Sequence, residues 1–506
     1  MKKLKTTLPV ESLIKSAKSM ALIEGELQKK SSDPEISQVL LVTGRNVITS
    51  IDVADEQVFL EGKTFFNVVY VDMIGELYSF ESSATFKHTV EVPGAKSGHR
   101  GHAMCSTKEI SHRLMPSGTV AVKANAEIVC NVWTQISHDI LTEIVSDPNT
   151  YIREEVITIP VQTAFRNSIA TVRDEIRIPQ NMPTIHKILD VSGYAIVKNI
   201  TIENMKVIAE GDIRASILYE SKDKNAPLQH LTSTLPFGEI IGIDDVEEND
   251  LASIFTEIMD LSANPYEGSE DIFAIDVSFK LITSVYSYKK MNLIGDLYST
   301  NTKMDCTREK MAMRGLRSYS SSKSILRSSI ELPKSAPDVA RVLFSRANPC
   351  ITKATSMQGY VEIEGILYTQ VGYSVASGKV HSVPIETPFK TEISVEGAHP
   401  GMEVMPRAHV EYFEVEGSGR DLDAKFSVEI ALACYTSQNR DVVLDVVESQ
   451  DKIQPEKGIL VYFTQPGESA WDICKKFHID PDALESLNKH ANLSSIQPGS
   501  KLVIFP

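Results

Sequence analysis

Cysteine and tryptophan are scarce in this sequence, and long apolar runs are missing. The 506 residues include six cysteines and two tryptophans. The cysteines lie far apart, as expected for a reduced compartment in which thiols act as small apolar side chains. No stretch approaches about 18 consecutive apolar residues, so we expect no membrane-spanning helix. The first residues, MKKLKTTLPVESLIKSAKSM, lack the apolar core of about 7–15 residues that marks a secretory signal, so we expect a cytoplasmic protein.

Positive charge is also in deficit. The chain has 51 lysines and arginines against 67 aspartates and glutamates, a net charge of −16. Such a surface repels phosphate groups, which argues against binding to nucleic acid or to an anionic membrane. Apolar residues make up 42% and charged residues 23%, the usual balance of folded domains. The length predicts three or four domains of roughly 100–200 residues each.

The sequence patterns of nucleotide and metal sites are incomplete. Gly62–Thr64 (GKT) matches the end of a phosphate-binding loop, but Gln57 stands where that loop needs glycine, so we predict a strand. His99, His102 and Cys105 have a spacing that suits a metal, but a closed zinc site needs a fourth ligand. We therefore interpret His99 as part of a loop and predict no metal site.

The acidic stretch DDVEEND, from Asp244 to Asp250, is the remaining candidate for hydrolytic chemistry. Paired carboxylates act as acid and base when their surroundings separate their pKa values, and a charge run is more often an exposed loop. The sequence contains neither Gly-x-Ser-x-Gly nor His-Glu-x-x-His. We predict a protein that is not an enzyme and needs no cofactor.

One unit occurs three times in the chain. Its copies begin with PEISQVL, PTIHKIL and PDVARVL, at Pro34, Pro183 and Pro337. A Glu-Gly pair follows each proline at one constant distance, with its glycine at Gly62, Gly211 and Gly365. A tyrosine follows each glycine at a second constant distance, at Tyr70, Tyr219 and Tyr373. Two constant spacings in three segments indicate an internal repeat.

The similarity between the copies weakens further along. Phe86, Phe237 and Phe389 occupy similar places after the glycine. VPGAKSGH in the first copy matches VEGAHPGM in the third, whereas the second copy has GIDDVEEND, so we regard the second copy as divergent. Stretches such as GYVEIEGIL alternate polar and apolar residues, which predicts strands.

A short helix is predicted after each proline. Ile185, Ile188 and Leu189 show the i, i+3, i+4 spacing of an apolar helix face, with Pro183 near the first turn. Three such units in series favour an elongated scaffold, although the sequence leaves open whether the units pack together.

The pattern changes after a polar link at 446–457. LVYFT predicts a strand, and Ser469 with Asp472 forms a capping box for a helix. Ala470, Ile473, Cys474 and Phe477 would form its apolar face. A second helix opening at Pro481 and a last strand, KLVIF, complete a strand–helix–helix–strand order.

These patterns predict a multidomain fold: three β-rich, mainly antiparallel α+β repeats and a small α+β module of βααβ order. We place the repeats at 1–150, 151–305 and 306–445, a linker at 446–457, and the module at 458–506.

The terminal module resembles a LysM domain. The resemblance rests on Gln-Pro-Gly-Glu-Ser-x-Trp from Gln465, Leu-x-x-Leu-Asn at 484–488 and Ile-x-Pro-Gly-x-x-Leu from Ile496. It implies binding of N-acetylglucosamine-containing glycans, such as peptidoglycan, through a turn and a loop. The implied site residues are Gly467, Glu468, Ser469, Trp471, Asn492, Leu493, Ile496, Pro498 and Gly499. Ala470 and Cys474 depart from the family pattern and look like a compensated exchange in the core.

Trp471 has two interpretations that the sequence leaves open. It could pack on the module and act through stability, or it could lie at the energetic centre of an interface, where tryptophan is favoured.

The three repeats resemble the SPOCS domains of endospore formers, on the proline stretch, the Glu-Gly pair, the tyrosine and the Gly-Ala-x-x-Gly loop. Three such domains and one LysM domain resemble the SipL type of clostridial spore coat morphogenetic proteins. The resemblance implies action in the mother-cell cytoplasm, at the forespore surface. It also implies binding to SpoIVA, an ATP-hydrolysing coat-basement protein, chiefly through the LysM domain, with other coat proteins and self-association as further contacts. A peptidoglycan-binding protein is the alternative, and a wall hydrolase is a third interpretation.

Overall fold

The computed structural model describes residues 1–145, 147–223, 228–269, 271–454 and 458–505, except the side chain at 451. These residues form three similar β-sandwich units and a small C-terminal module with two helices. The predicted fold class is confirmed. Among the described residues, no helix is long and apolar enough to cross a membrane.

Each unit consists of six strands. The first unit contains β1 (Lys2–Leu27), β2 (Ile36–Ala54), β3 (Gln57–Asp72), β4 (Leu77–Glu91), β5 (Arg100–Leu114) and β6 (Val120–Val145). The second contains β7 (Thr150–Arg177), β8 (Ile185–Glu203), β9 (Lys206–Ser221), β10 (Leu228–Gly242), β11 (Leu251–Pro265) and β12 (Ile272–Ser299). The third contains β13 (Thr302–Glu331), β14 (Arg341–Ser356), β15 (Tyr360–Ser374), β16 (Val380–Ser394), β17 (Glu403–Gly417) and β18 (Asp421–Lys452).

Two antiparallel three-stranded sheets make up each sandwich. In the first unit their orders are β1-β6-β5 and β2-β3-β4, and the other two units repeat these orders. The central strand β3 buries alternate residues such as Val58, Leu60, Phe66 and Val68, as the period of two in its sequence predicts. Burial of each such side chain contributes about 1.5–3 kcal/mol, so alternation is what fixes the strand register.

The constant spacing between proline and tyrosine corresponds to a hydrogen bond. The tyrosine hydroxyl donates to the proline carbonyl over 3.3 Å from Tyr70 to Pro34, 2.9 Å from Tyr219 to Pro183, and 3.1 Å from Tyr373 to Pro337. All three tyrosines are fully buried. Because this bond joins the entry of one strand to the end of the next, it holds the spacing constant in every copy.

The repeated glycine is required by the phenylalanine opposite it on the neighbouring strand. The pairs in register are Gly62 with Phe86, Gly211 with Phe237, and Gly365 with Phe389. A Cβ atom at any of the three glycines would approach the opposite ring to under 3.0 Å. The ring therefore covers a strand position that has room for no side chain.

The helix predicted after each proline is wrong. Strands β2, β8 and β14 occupy these segments. In β8 the register shifts between Ile185 and Lys187 and again between Ile188 and Asp190, so two bulges lie close together. A bulge inserts one extra residue and changes which face the next side chains occupy. The bulges thus convert a strand alternation into the apolar spacing of a helix.

The divergent loop of the second unit has the same backbone arrangement as its counterparts. The N–H of Met205 donates to the carbonyl of Val246 over 3.1 Å. In the first unit, the N–H of Glu56 makes the equivalent bond to the carbonyl of Ala95. Asp245 adopts φ 61°, in the left-handed region where the first unit has a glycine. Most of the acidic stretch is exposed, as expected, but the carboxylate of Asp250 is buried and accepts a hydrogen bond from Ser287.

The three units pack together, in contrast to the elongated scaffold that the sequence favoured. One shared apolar cluster lies where the long outer strands meet, and its members include Val10, Ile159 and Met313. A second cluster takes side chains from the opposite sheets, among them Leu41, Leu189 and Phe344. Residues of all three units also line a cavity of about 1750 Å³.

A buried ionic network joins the units beside this cavity. The guanidinium of Arg314 donates to both carboxylate oxygens of Glu403, at 2.8 and 2.9 Å, and contacts Glu11 at 3.3 Å. Glu11 also pairs with Arg100 and accepts a hydrogen bond from the hydroxyl of Tyr286. Arg314 and Glu11 are both about 6% exposed. Since the five residues come from three units, the network ties the units to one another.

Acid will weaken the packing of the second and third units, through His409. Its ring stacks on Tyr194 with centroids 4.4 Å apart. Burial, aided by the positive charge of Arg407, lowers the pKa of His409 from 6.5 to about 3. The unfolded chain takes up this proton below pH 6.5 and the folded chain does not, so stability is complete above pH 6.5 and falls as the pH drops towards 3. Between pH 7.5 and 5 we expect a loss of up to about 2 kcal/mol from this residue.

Urea unfolding at the two pH values measures this effect. His409→Phe keeps a ring on Tyr194 and should reduce the difference in stability between pH 7.5 and 5, whereas His490→Phe, at an exposed position, should leave it unchanged. An equal pH dependence in all three proteins would contradict the assignment to His409.

The C-terminal module has the predicted order of elements: β19 (Leu460–Phe463), α1 (Ala470–Phe477), α2 (Pro481–Leu487) and β20 (Lys501–Ile504). Strand β18 includes the beginning of the predicted linker, where Val446 is fully buried, because the third unit extends to Lys452. Residues 455–457 of that linker and residue 506 of the module lie outside the described residues.

Candidate functional site

The turn 467–469 and the loop 492–499, both predicted as ligand-facing, lie side by side in the C-terminal module. Thr464, which lies three residues before the turn and is 3% exposed, holds the loop beside it. Its hydroxyl donates to the carbonyl of Gln497 over 2.8 Å, and its own carbonyl accepts from the N–H of Gly499, also at 2.8 Å. The structure therefore brings the two predicted segments into one surface.

Glu468 stabilises the turn through its carboxylate. It accepts hydrogen bonds from the N–H of Gln465, at 2.8 Å, and from the hydroxyl of Tyr462, at 2.7 Å, and it pairs with Lys476 at 3.5 Å. These contacts, the first above all, lower the pKa of the Glu468 carboxyl. Gly467, next to it, adopts φ 85°, so the turn needs a glycine there.

Ser469 caps helix α1, as predicted. Its hydroxyl accepts from the N–H of Asp472 at 3.3 Å, and the Asp472 carboxylate accepts from the N–H of Ser469 at 2.9 Å, which completes the capping box. The predicted apolar helix face is also present, with Ile473 and Cys474 fully buried. Ser469 therefore positions the turn as well as lying on it.

The residues of the second loop divide into exposed and core positions. Asn492, Pro498 and Gly499 are exposed, and the side-chain oxygen Oδ1 of Asn492 accepts from the N–H of Ser494 at 3.1 Å. Leu493 and Ile496 are half-buried and pack against the core of the module. Of the predicted loop residues, these three exposed ones are thus the more accessible to a ligand.

Trp471 contacts the second unit. Its indole N–H donates to the carboxylate of Asp296 on β12 over 2.8 Å. Its ring meets Tyr298 edge to face, with centroids 5.1 Å apart, and the guanidinium of Arg153 lies 5.5 Å from its ring centre. Trp471 therefore packs on the core of the module, as the first interpretation has it, and it also docks the module on the second unit, a contact that neither interpretation included.

Three further contacts complete the docking interface. Lys475 donates to Asp296 over 2.6 Å, and the Tyr298 hydroxyl donates to the carbonyl of Ile479 over 2.9 Å. The ring nitrogen Nδ1 of His478 lies 3.0 Å from the carbonyl of Ser299. Asp296 also pairs with Arg308 of the third unit, at 2.8 Å. Although burial opposes ionisation, the hydrogen bonds from Lys475 and Trp471 keep the pKa of Asp296 below its ordinary value.

Asp296→Ala should release the module from the units, because it removes the acceptor shared by Trp471 and Lys475. We expect proteolysis between residues 453 and 459 to become at least about tenfold faster, which corresponds to a loss of about 1.4 kcal/mol in docking. Asp441→Ala is the control, since it removes only an exposed contact of Arg308. Unchanged cleavage in Asp296→Ala would show that these contacts do not hold the module.

An exposed apolar face on the two-stranded sheet of the module was not identified from the sequence. It comprises Ile459, Val461, Phe463 and Phe505, which are 73%, 45%, 57% and 59% exposed. Val461 pairs with Val503, which extends this face across both strands. The alternation in LVYF was the available signal, because each residue that points away from the helices is also apolar. Clustered exposed apolar side chains indicate an interaction surface.

The other candidate residues do not form a site. Gly62–Thr64 lies within strand β3, as predicted. His99 is exposed on a loop, whereas His102 and Cys105 lie in strand β5 at an odd spacing, which directs them to opposite faces. His99 thus lies on a loop, as predicted. Among the described residues, no group of three histidines, cysteines or carboxylates is placed to hold a metal ion.

Comparison with known proteins identifies the domains. The family model described as SipL, SPOCS domain, matches residues 35–115, 184–265 and 338–417, and the LysM domain model matches residues 462–505. No curated protein and no solved structure matches the chain. Both domains are of a binding type, and together they support a sporulation coat protein. The chain therefore contains three SipL SPOCS domains followed by one LysM domain, which is a SipL-like architecture.

Proposed function

We propose that this protein is a non-enzymatic adaptor of the spore coat, which binds SpoIVA chiefly through its LysM domain. In this proposal it works in the mother-cell cytoplasm and localises coat around the forespore. The observation that carries the proposal is the exposed apolar face of Ile459, Val461, Phe463 and Phe505. A face of this kind suits the buried centre of a protein–protein interface, whereas a glycan would need mainly polar partners.

The way in which the LysM domain is docked supports the same proposal. Helix α1 attaches the domain to the SPOCS units through Trp471 and Lys475. The apolar face belongs to the sheet, and its four residues are between 45% and 73% exposed while the domain is docked. A domain held by one side and exposed on another can join a partner to the SPOCS units without rearrangement, which lowers the entropic cost of binding.

Co-purification of SpoIVA with variants of the full chain tests the proposal. Phe463→Glu places a charge on the apolar face and should reduce the affinity at least about a hundredfold, as expected for a central interface residue worth about 2.7 kcal/mol or more. Leu487→Glu is the matched control, because Leu487 is exposed on helix α2 of the same domain, away from the apolar face. This variant should bind SpoIVA as the unaltered chain does. A chain cut at Gln454 should not bind.

Trp471→Glu gives a separate outcome. Because Trp471 holds the docking interface, this variant should detach the LysM domain and keep part of its affinity for SpoIVA. Equal binding by Phe463→Glu and the unaltered chain would contradict a LysM contact through this face, and binding by the cut chain would move the contact to the SPOCS units.

Binding to peptidoglycan or another N-acetylglucosamine glycan is the second candidate function. The adjacent turn 467–469 and loop 492–499 favour it, because exposed backbone and the amide of Asn492 can hydrogen-bond sugar hydroxyls. Sedimentation with peptidoglycan and with chitin tests this candidate. Binding that is lost in Asn492→Ala and kept in Phe463→Glu would assign a glycan to the loops, and no binding to either polymer would reject it.

A further inference from the structure

The two edges of the small sheet in the LysM domain differ in whether their backbone groups have partners. On the outer edge of β20, the side chain of Asn488 bonds both backbone groups of Val503. Its amide donates to the Val503 carbonyl over 2.7 Å, and its oxygen accepts from the Val503 N–H over 2.7 Å. Because Asn488 lies beside β20 and not between the strands, these two groups point away from β19. The outer edge of β20 is therefore closed at its centre.

The backbone groups of Val461 point to the outer edge of β19. Val461 lies directly opposite Val503 in the antiparallel register. Opposite residues in such a pair either exchange both of their backbone hydrogen bonds or direct all of these groups outwards. Since the groups of Val503 point outwards, those of Val461 do so on the other side. Strand alternation directs the groups of Ile459 and Phe463, two residues away in each direction, to the same edge.

This outer edge of β19 is open in the part of the chain that the structure describes. No strand other than β20 pairs with β19 there. The side-chain amide of Gln465 donates to the carbonyl of Phe463 over 3.1 Å, and no other described residue donates to or accepts from the outward backbone groups of Ile459, Val461 and Phe463. The same three residues carry the exposed apolar side chains of β19. Free backbone groups and exposed apolar side chains thus lie on one edge.

The outer strands of the SPOCS units are protected in a way that β19 is not. Every proline within a described strand of these units lies on an outer strand of its sheet. Proline has no N–H to offer, so it blocks the addition of a further strand. Such prolines occur on β1, β7, β10, β11, β14, β16 and β17, for example as Pro9, Pro160 and Pro406. Strand β19 contains neither proline nor a charged residue. It therefore lacks the usual protection against pairing.

The size of this edge favours a different protein over a second copy of the chain. Two copies could pair only residues 459–463 of each, and a stable interface buries about 1,200 Å² or more in total. A pairing of two such short strands does not reach that area. A partner that also covers the apolar face of Ile459, Val461, Phe463 and Phe505 adds the missing area, because the face and the edge are continuous. The partner that binds the face is thus the best source of the added strand.

We propose that the protein partner of the LysM domain inserts an extended segment of about five residues, which adds to β19 as a third strand of the sheet. This proposal rests on the proposed function, in which SpoIVA is that partner. The carbonyl of Ile459, both backbone groups of Val461 and the N–H of Phe463 would bond to the main chain of the segment. Every second residue of the segment would be apolar, because its side chain lies beside those three residues on the exposed face.

Amide hydrogen exchange, resolved at single residues by mass spectrometry, tests the proposal on the full chain. In the free protein the N–H groups of Val461 and Phe463 should exchange fast, whereas the N–H of Tyr462, which bonds towards β20, should be protected. Bound SpoIVA should slow exchange at Val461 and Phe463 at least about tenfold, with Tyr462 as the internal reference. A partner that contacts the side chains alone leaves both N–H groups without an acceptor, so their exchange should stay fast.

Val461→Pro provides a second measurement. Proline keeps an apolar side chain of similar size and removes an N–H that the domain itself does not use. Outer strands of the chain already contain proline, such as Pro236 in β10. Val461→Ala is the matched control, because it shortens the side chain and keeps the N–H. Val461→Pro should bind SpoIVA at least about tenfold more weakly than Val461→Ala does, while protection at Tyr462 shows that the domain is folded.

The outcomes separate this proposal from the proposed function. If SpoIVA binds and exchange at Val461 stays fast, strand addition is wrong and the proposed function stands. Equal binding by Val461→Pro and Val461→Ala has the same meaning. If the unaltered chain does not bind SpoIVA, the proposed function is rejected and this proposal with it. Should Val461→Pro fail to fold, the exchange measurement on the unaltered chain decides.

Discussion

Arg314→Met is expected to destabilise the folded chain by about 3 kcal/mol, because it leaves the half-buried carboxylate of Glu403 without its cation and the buried carboxylate of Glu11 with Arg100 alone. Arg314 holds Glu403 through two hydrogen bonds and contacts Glu11 from another unit. Methionine fills a similar volume, so the loss reports on charge rather than on packing. Urea unfolding measures it, from the shift of the midpoint and the slope of the transition.

Two comparisons separate the network from an ordinary ion pair. Lys323→Met breaks a contact of 2.7 Å to Glu411 at a lysine that is 43% exposed, and it should cost less than about 1 kcal/mol. The double variant Glu11→Leu with Arg314→Met removes both charges of one pair and should recover part of the loss. A loss below about 1 kcal/mol for Arg314→Met alone would contradict a role in joining the units.

The strands and the small module could be predicted because their signals are local. Alternation along GYVEIEGIL reports which face is buried, and the capping box of Ser469 and Asp472 marks a helix start within four residues. The constant spacing from Pro34 to Tyr70 could be seen but not explained, since the hydrogen bond it encodes exists only in the folded unit. The predicted helix failed because two bulges give a strand the spacing of a helix.

The packing of the units was beyond the sequence, because its contacts join residues far apart in the chain. Trp471 and Asp296 are 175 positions apart, and no local pattern links them. The long strands that form the shared cluster, such as β1 and β6, also lie outside the ranges matched by the SPOCS family model. The family match therefore predicts the core strands of each single unit, whereas the contacts between units are seen only in the structure.

The structure shows what the predicted site residues of the LysM domain contact. The binding role of the turn and the loop stays a prediction, and Thr464, which holds the loop beside the turn, carries no mark in the sequence that distinguishes it from other threonines. Glu468 and Ser469 were predicted as contact residues, and both prove to stabilise the turn. The apolar sheet face was missed because the sequence alone does not distinguish an exposed phenylalanine in a short strand, such as Phe463, from one that is buried in the core.

Asn488→Leu should unfold the LysM domain while the SPOCS units stay folded. Asn488 is fully buried, and its amide donates to the carbonyl of Leu484 at 2.8 Å and of Val503 at 2.7 Å, while its oxygen accepts from the N–H of Val503 at 2.7 Å. Leucine leaves the backbone of Val503 in β20 without these partners, at about 1–3 kcal/mol for each unsatisfied group. A domain of this size has a free energy of unfolding of only a few kcal/mol, so the loss is comparable to the entire stability of the LysM domain.

Limited proteolysis and thermal unfolding distinguish this result from a general loss of stability. In Asn488→Leu the LysM domain should be digested, while a fragment that ends near Lys452 resists the protease and unfolds at its original temperature. Ser486→Ala is the control, because it removes one exposed hydrogen bond in the same helix and should leave the domain intact. A folded LysM domain in Asn488→Leu would show that β20 is held by its pairing with β19 alone, and it would make Asn488 a marker of the family pattern rather than the residue that closes the domain.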